Sequence, residues 1–272
     1  MQHKRRKKLD YNFQRMCFFW GTLAICLILQ KIFPFRKIPL VKIRFLINIS
    51  LHLLNTFLVY IAVPFSLAQI SQFSMTHNWD LLSLSNFPYW SQLLVLLFLF
   101  DMTIYWQHRF FHRIPILWRL HAVHHSDPEL STSSAVRFHP IEIILSFLIK
   151  AALVVLFAPP TEFIFIFETT LNSSALFHHT NIMLPSKLDQ LLRRIIITPS
   201  IHLVHHSTYQ PETDSNFGFF LSIWDVVFGT RTTKKRSHLE EMKIGLDEYN
   251  QINTENFISL LKAPFLIKFK KN

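Results

Sequence analysis

Five apolar stretches leave this chain few ways to fold in water. They cover residues 16–30, 46–70, 88–106, 141–158 and 161–177, and polar, histidine-bearing segments separate or follow them. A helix needs about 20 apolar residues to cross a bilayer, a length that the second and third stretches comfortably reach. Pro159 and Pro160 break any helix running from the fourth stretch into the fifth, so these two read as a hairpin that enters and returns on one side. Only four of the 272 residues are glycine, which excludes a glycine-rich phosphate loop and weakens any turn-rich β architecture. With 28 Phe, 17% charged residues and a mean hydropathy of +0.25, the expected class is all-α: a polytopic integral membrane helical protein with a histidine-rich metal-binding cap on the cytosolic side.

The net charge of +11 fits that class through its placement. Residues 31–44 hold five Lys/Arg, 71–88 none and 109–119 three, so the first and third of these segments belong in the cytosol with two spans between them. The tail before Met16, with six Lys/Arg, also favours the cytosol, yet a spanning first stretch would put it on the far side. Either that stretch lies in or re-enters the interface, or the tail is an exception to the charge rule. Basic residues flank apolar runs and do not alternate with aromatics along a groove, so no nucleic-acid partner is expected. Cys17 and Cys26 share one apolar run at a spacing unsuited to a disulfide or a zinc pair. No small-residue cleavage site follows that run, so no cleaved signal peptide is expected.

The chain divides into residues 1–87, a basic tail with membrane helices; 88–231, a catalytic unit; and 232–272, a polar tail ending in an amphipathic helix near 257–269.

Histidines carry the chemistry. His108 and His112 stand in HRFFH, His121, His124 and His125 in HAVHH, and His202, His205 and His206 in HLVHH. On a helix, positions i, i+3 and i+4 share a face, so each cluster points two or three imidazoles at one locus. A lone HxxxH is most simply a surface pair, but three such clusters, each following an apolar stretch that returns to one membrane face, make a metal site. Imidazole suits iron, zinc, copper or nickel rather than calcium or magnesium. Eight imidazoles exceed the needs of one ion, and four per ion for two ions is a natural partition. His178 or His179, in FHHTN, joins the site as an auxiliary. His139, in RFHP, is either a group beside the site or a polar lead into a helix, and His52 is a packing residue as readily as a functional one. Two divalent ions on neutral ligands need nearby carboxylates, and Asp101, two helical turns before His108, is the first candidate, ahead of Asp214, Asp225, Glu142 and Glu168.

Together, DMTIYWQHRFFH, LWRLHAVHHS, RFHP, HHTN, HLVHHS and DSNFGFFLSIWDVVFGT resemble the fatty acid hydroxylase / sterol desaturase superfamily over roughly residues 88–231. The resemblance implies a nonhaem diiron centre, two iron ions held by His108, His112, His121, His124, His125, His202, His205 and His206 with His179 or His178 auxiliary. It implies dioxygen as co-substrate and hydroxylation or desaturation of a lipid C–H bond within a membrane. Some relatives have a further histidine upstream of the HH pair, where this chain reads Asn172-Ser173-Ser174. No segment resembles a fused haem-binding electron-transfer domain, so a separate ferredoxin-type or haem-type donor protein is expected. Two other classes compete: a metal transporter or sensor, whose ligands would sit at membrane depth, and a bis-His haem protein, which would need isolated His pairs in apolar helices.

Overall fold

Proline and capping chemistry divide the apolar stretches into helices. The computed structural model describes residues 2–38, 42–79 and 87–267, and among these every regular element is helical. The long elements are α1 (Gln2–Ile32), α2 (Lys42–Ala62), α3 (Leu67–Thr76), α4 (Tyr89–Arg113), α5 (Pro115–His125), α6 (Pro140–Phe157) and α7 (Thr161–His178). Shorter ones follow: α8 (Ser186–Leu192), α9 (Pro199–His205), α10 (Gln210–Thr213), α11 (Ile223–Val227), α12 (Arg236–Glu241) and α13 (Phe257–Leu266).

Four segments are long and apolar enough to cross a membrane: Phe13–Ile32, Lys42–Thr76, Tyr89–Arg113 and Pro140–Phe157. The first and fourth were not credited with comfortable spanning length in the sequence. The first helix runs beyond its purely apolar residues to 20, which at about 1.5 Å each reach the ~30 Å of a hydrocarbon core, and the 18 residues of Pro140–Phe157 reach about 27 Å. The second stretch, by contrast, is two helices. Pro64 interrupts it, and Ser66 starts α3 with a capping box, its hydroxyl accepting from the Gln69 N–H while Gln69 Oε1 accepts from the Ser66 N–H at 2.9 Å.

The α6–α7 hairpin organises the rest. Ala158, left-handed at φ 38°, ends α6, and Pro160 caps α7. At this tip α3 packs against both arms, with the Ser71 hydroxyl donating to the Pro159 carbonyl. Leu67, Leu96, Phe100, Val154, Phe163 and Phe167 form the core there. Alongside, α1 runs parallel to α7 in constant register: Tyr11 meets Glu162, Arg15 meets Glu168 at 2.5 Å, and Thr22 meets Ser173 at 3.3 Å. The first stretch therefore traverses the depth of the hairpin, and the basic tail begins at the end away from His178.

The amphipathic helix expected near the end of the polar tail, α13, docks as a buttress. Leu260 and Ala263 of α13 are buried against Ala122 and Val123 on the back of α5, together with Ile47 and Leu51 of α2. Arg119 donates to the Pro264 carbonyl at 3.2 Å. Fully buried Arg137 ties three regions together, donating to Asn48 Oδ1 (3.1 Å), the Val123 carbonyl (3.1 Å) and the Thr254 carbonyl (3.1 Å). Residues 268 and 269, the end of the expected amphipathic helix, lie outside the described residues.

Candidate metal centre

Helix spacing aims the histidines, and packing decides where each one goes. His108 and His112 close α4, one turn apart; Pro115 then starts α5 after a single extended residue, folding the next cluster back over them. Pro199 likewise starts α9, the carrier of the third cluster. Nine imidazoles, all buried, collect in two groups: His108, His112, His121, His125 and His205 in one, and His124, His179, His202 and His206 in the other. Within each group one nitrogen per ring lies within 4.8 Å of all the others. The groups adjoin, with the His125 and His206 rings stacked at 4.3 Å.

The two repeated HxxHH clusters are used reciprocally. In α5, the i and i+4 residues His121 and His125 serve the first group, and the i+3 residue His124 the second. On α9 and its C-cap the assignment inverts: His202 and His206 serve the second group and His205 the first. The partition is thus five and four, in place of four and four. His179 stands in the second group, whereas His178 lies outside both and packs its ring on His202 at 3.9 Å.

The remaining nitrogens show how the rings are oriented. Nδ1 of His108 faces the Phe217 carbonyl (2.9 Å), that of His205 the Ser215 carbonyl (2.7 Å), and that of His121 the Glu142 carboxylate (2.7 Å). Each therefore donates from Nδ1, and its Nε2 is buried without a protein hydrogen-bond partner. Ser134 holds Nδ1 of His179 at 2.9 Å, and Asp214 stands 3.6 Å from Nδ1 of His112. In the second group, Nε2 of His202 lies 2.9 Å from that of His179 and 3.1 Å from that of His206, so three rings converge on one point. An unpartnered buried polar nitrogen costs about 1–3 kcal/mol, so this many of them in one place fit cations rather than packing.

The rings are held neutral. Burial drives the His121 imidazole down to about 3. Burial, then a neighbouring imidazole, holds His124, His125, His202, His205 and His206 well below the ordinary histidine range. An imidazole that refuses a proton at neutral pH keeps its lone pair for a metal.

Asp101 has a different task from the one expected. Its carboxylate accepts from the Phe220 N–H (3.3 Å), the Leu221 N–H (3.1 Å) and Trp224 Nε1 (2.8 Å), and among the described residues no hydrogen bond or ion pair joins it to an imidazole. Its helical phase was read correctly, but the 220–224 turn docks on that face. Asp225 works beside it, accepting from the Phe217 N–H (2.7 Å), the Gly218 N–H (2.8 Å) and the Thr230 hydroxyl (2.7 Å). These two acids clamp the segment whose carbonyls orient His108 and His205. Glu168 is engaged elsewhere, by Arg15 and Lys150. Glu142 is the carboxylate on an imidazole; its signal was an acid in the first turn of the apolar helix after RFHP. His139 caps that helix, accepting from the Ile141 N–H at 3.3 Å, and His52 stacks on Phe19. Ser134 and the carbonyls of Ser215 and Phe217 carried no sequence signal of their role. Glu142→Gln keeps the bond to His121 Nδ1 but removes the charge, and is expected to lower iron affinity about 10-fold, measured by chelator competition.

Comparison with known proteins agrees with this geometry. A family model described as fatty acid hydroxylase matches residues 93–230, which span every one of these histidines. Human alkylglycerol monooxygenase is 34% identical over 133 residues, 48% of this chain and 28% of the relative, so the chain spans under a third of that protein. The ornithine lipid hydroxylase OlsE of Rhizobium tropici is 26% identical over 264 residues, covering 93% of this chain and 76% of the relative. A putative Delta(7)-sterol-C5(6)-desaturase 2 of Arabidopsis thaliana is 27% identical over 226 residues, 78% and 74% of the two chains. No solved structure matches significantly. With two adjoining groups of neutral imidazoles inside the matched residues, the chain belongs to the fatty acid hydroxylase family.

Proposed function

We propose that this protein is a membrane-bound nonhaem diiron oxygenase that hydroxylates or desaturates a C–H bond of a lipid. The observation that carries the reading is the pair of adjoining imidazole groups with buried nitrogens free for metal. His108, His112, His121, His125 and His205 would hold one iron, and His124, His179, His202 and His206 the other. When bound, the iron pair supplies dioxygen chemistry; for hydroxylation, RH, O2, two electrons and two protons give ROH and water.

The chain's own residues do the rest. Glu142, Phe217 and Ser215 keep a proton on Nδ1 of their histidines and so present Nε2 inward. The apolar helices exclude bulk water and suit a fatty acyl chain or sterol. The names of the relatives, an alkylglycerol monooxygenase, an ornithine lipid hydroxylase and a putative sterol desaturase, support a lipid substrate. We take 88–231 as the catalytic unit, with the flanking residues as helical support, and place the histidine face in the cytosol on the lysine and arginine counts of the loops. Reductant then comes from a separate ferredoxin-type or haem-type protein on that side.

The test is turnover under isotopically labelled dioxygen with purified protein, a reducing system and membrane lipid, alongside metal analysis and an optical spectrum. Label in a hydroxylated lipid, or a new double bond that requires dioxygen, with two irons and no Soret band, is expected. Tightly held haem, or iron movement across vesicles without lipid oxidation, would overturn the assignment.

A further inference from the structure

Where α1 gives way to α2, at the end of the bundle that holds the imidazoles, lies a cavity of about 750 Å³. Five cations line it, Lys31, Arg36, Lys37, Lys42 and Arg44, against the carboxylates of Asp127 and Glu129, an excess of three positive charges. Arg44 is engaged, 3.5 Å from Asp127 and 3.4 Å from Glu255. Arg36 stands within reach of the Glu129 charge and is anchored by its backbone: its N–H donates to Asn181 Oδ1 (3.0 Å), its carbonyl accepts from Asn181 Nδ2 (2.8 Å), and its buried Nη1 has no hydrogen-bond partner. Leu27, Phe45 and Leu46 make an apolar wall, and Leu46 is 57% exposed on the flank of a membrane helix. Cations beside an open apolar wall complement a molecule that is anionic at one end and aliphatic at the other.

One side of the cavity is also a support of the metal centre. Gln30, in its lining, accepts from the N–H (3.0 Å) and hydroxyl (2.9 Å) of Thr132. Ser131 and Ser133 line it too, and the 3-10 turn they belong to, Thr132–Val136 capped by Ser131, carries the Ser134 hydroxyl that holds His179. The volume far exceeds that of a single phosphate, so a free anion would leave the apolar wall unused.

We propose that this cavity seats the anionic headgroup of a membrane phospholipid, its phosphate against Arg36, and that such lipids are the substrate class of the adjoining centre. The second half rests on the oxygenase reading; the first does not. The experiment measures binding of short-chain phosphatidylglycerol, phosphatidylcholine and inorganic phosphate to the full-length protein in detergent, with Arg36→Gln and Lys42→Gln as variants. Phosphatidylglycerol is expected to bind at least about fivefold more tightly than phosphatidylcholine, with each variant losing about fivefold, the loss expected for one interfacial charge. Helicity and iron content guard against misfolding, and the wild-type lipid comparison decides the matter if a variant fails to fold. Equal binding of the two lipids, unchanged binding in both variants, or phosphate competing as well as the lipid would overturn the headgroup site. Turnover then separates the two halves. Oxidation of lipids without preference for anionic headgroups defeats the substrate class alone, whereas no oxidation of any lipid defeats the oxygenase reading and leaves the binding result standing.

Discussion

His205→Ala is expected to abolish lipid oxidation while leaving a folded protein that retains about one of two irons. His205 contributes to the five-histidine group, its ring packs at 4.6 Å from those of both His108 and His112, and its Nδ1 is fixed by the Ser215 carbonyl. Changing a residue that only orients a ligand costs about 10–100-fold in metal affinity or activity, so loss of a ligand exceeds that range. The four-histidine group does not contain His205 and keeps its donors. His77→Ala is the control: this ring is exposed, stacks on Phe73 and belongs to neither group. Iron analysis and product formation on the two purified variants decide the matter; full activity in His205→Ala would remove it from the ligand set.

Asp225→Ala should be the most damaging change away from the imidazoles. It strips the acceptor from the Phe217 and Gly218 N–H groups and the Thr230 hydroxyl at a buried site. Each orphaned donor costs about 1–3 kcal/mol, so a loss of at least ~3 kcal/mol is expected. No other residue type substitutes for this packing at the turn: a Cβ on Gly218 would stand 2.7 Å from Asp225 Oδ2 and 2.9 Å from the Leu221 carbonyl. As the turn loosens, the Phe217 carbonyl releases His108 Nδ1, and iron affinity falls about 10–100-fold. Asp225→Asn keeps one acceptor oxygen and should lie between. Thermal unfolding in detergent and chelator competition measure both effects, and wild-type behaviour in the alanine variant would show that the clamp lies elsewhere.

Legibility in the sequence followed the range of the interaction. The three histidine clusters were visible because i, i+3 and i+4 spacing is local, and helix geometry alone turns it into a shared face. Their allotment to two groups was not visible, because it depends on how α5 and α9 are rotated against each other. His124 and His205 occupy the same i+3 place in their repeats and serve opposite groups. Asp101 was noticed because an acid in an apolar helix is conspicuous, but its partners lie about 120 residues away in the 220–224 turn. The capping box at Ser66 and Gln69 was available after Pro64 and was passed over under a continuous apolar run. The packing of α1 along α7 was not visible either, since its contacts join residues about 150 apart. The amphipathic helix near 257–269 was visible, but its docking was not, because Ala122 and Val123, which Leu260 and Ala263 meet, lie about 140 residues away.

The parallel pairing of α1 with α7 has a consequence for biosynthesis. Arg15 leaves the ribosome about 150 residues before Glu168, which at about 5–20 residues per second is an interval on the order of 10–30 s. During it, the first helix exists without the hairpin that will flank it, and its guanidinium lacks the Glu168 carboxylate. Nascent chains halted between these two residues carry Arg15 without that partner. The pairing of these two helices therefore becomes possible only when the second proline-broken arm has been made.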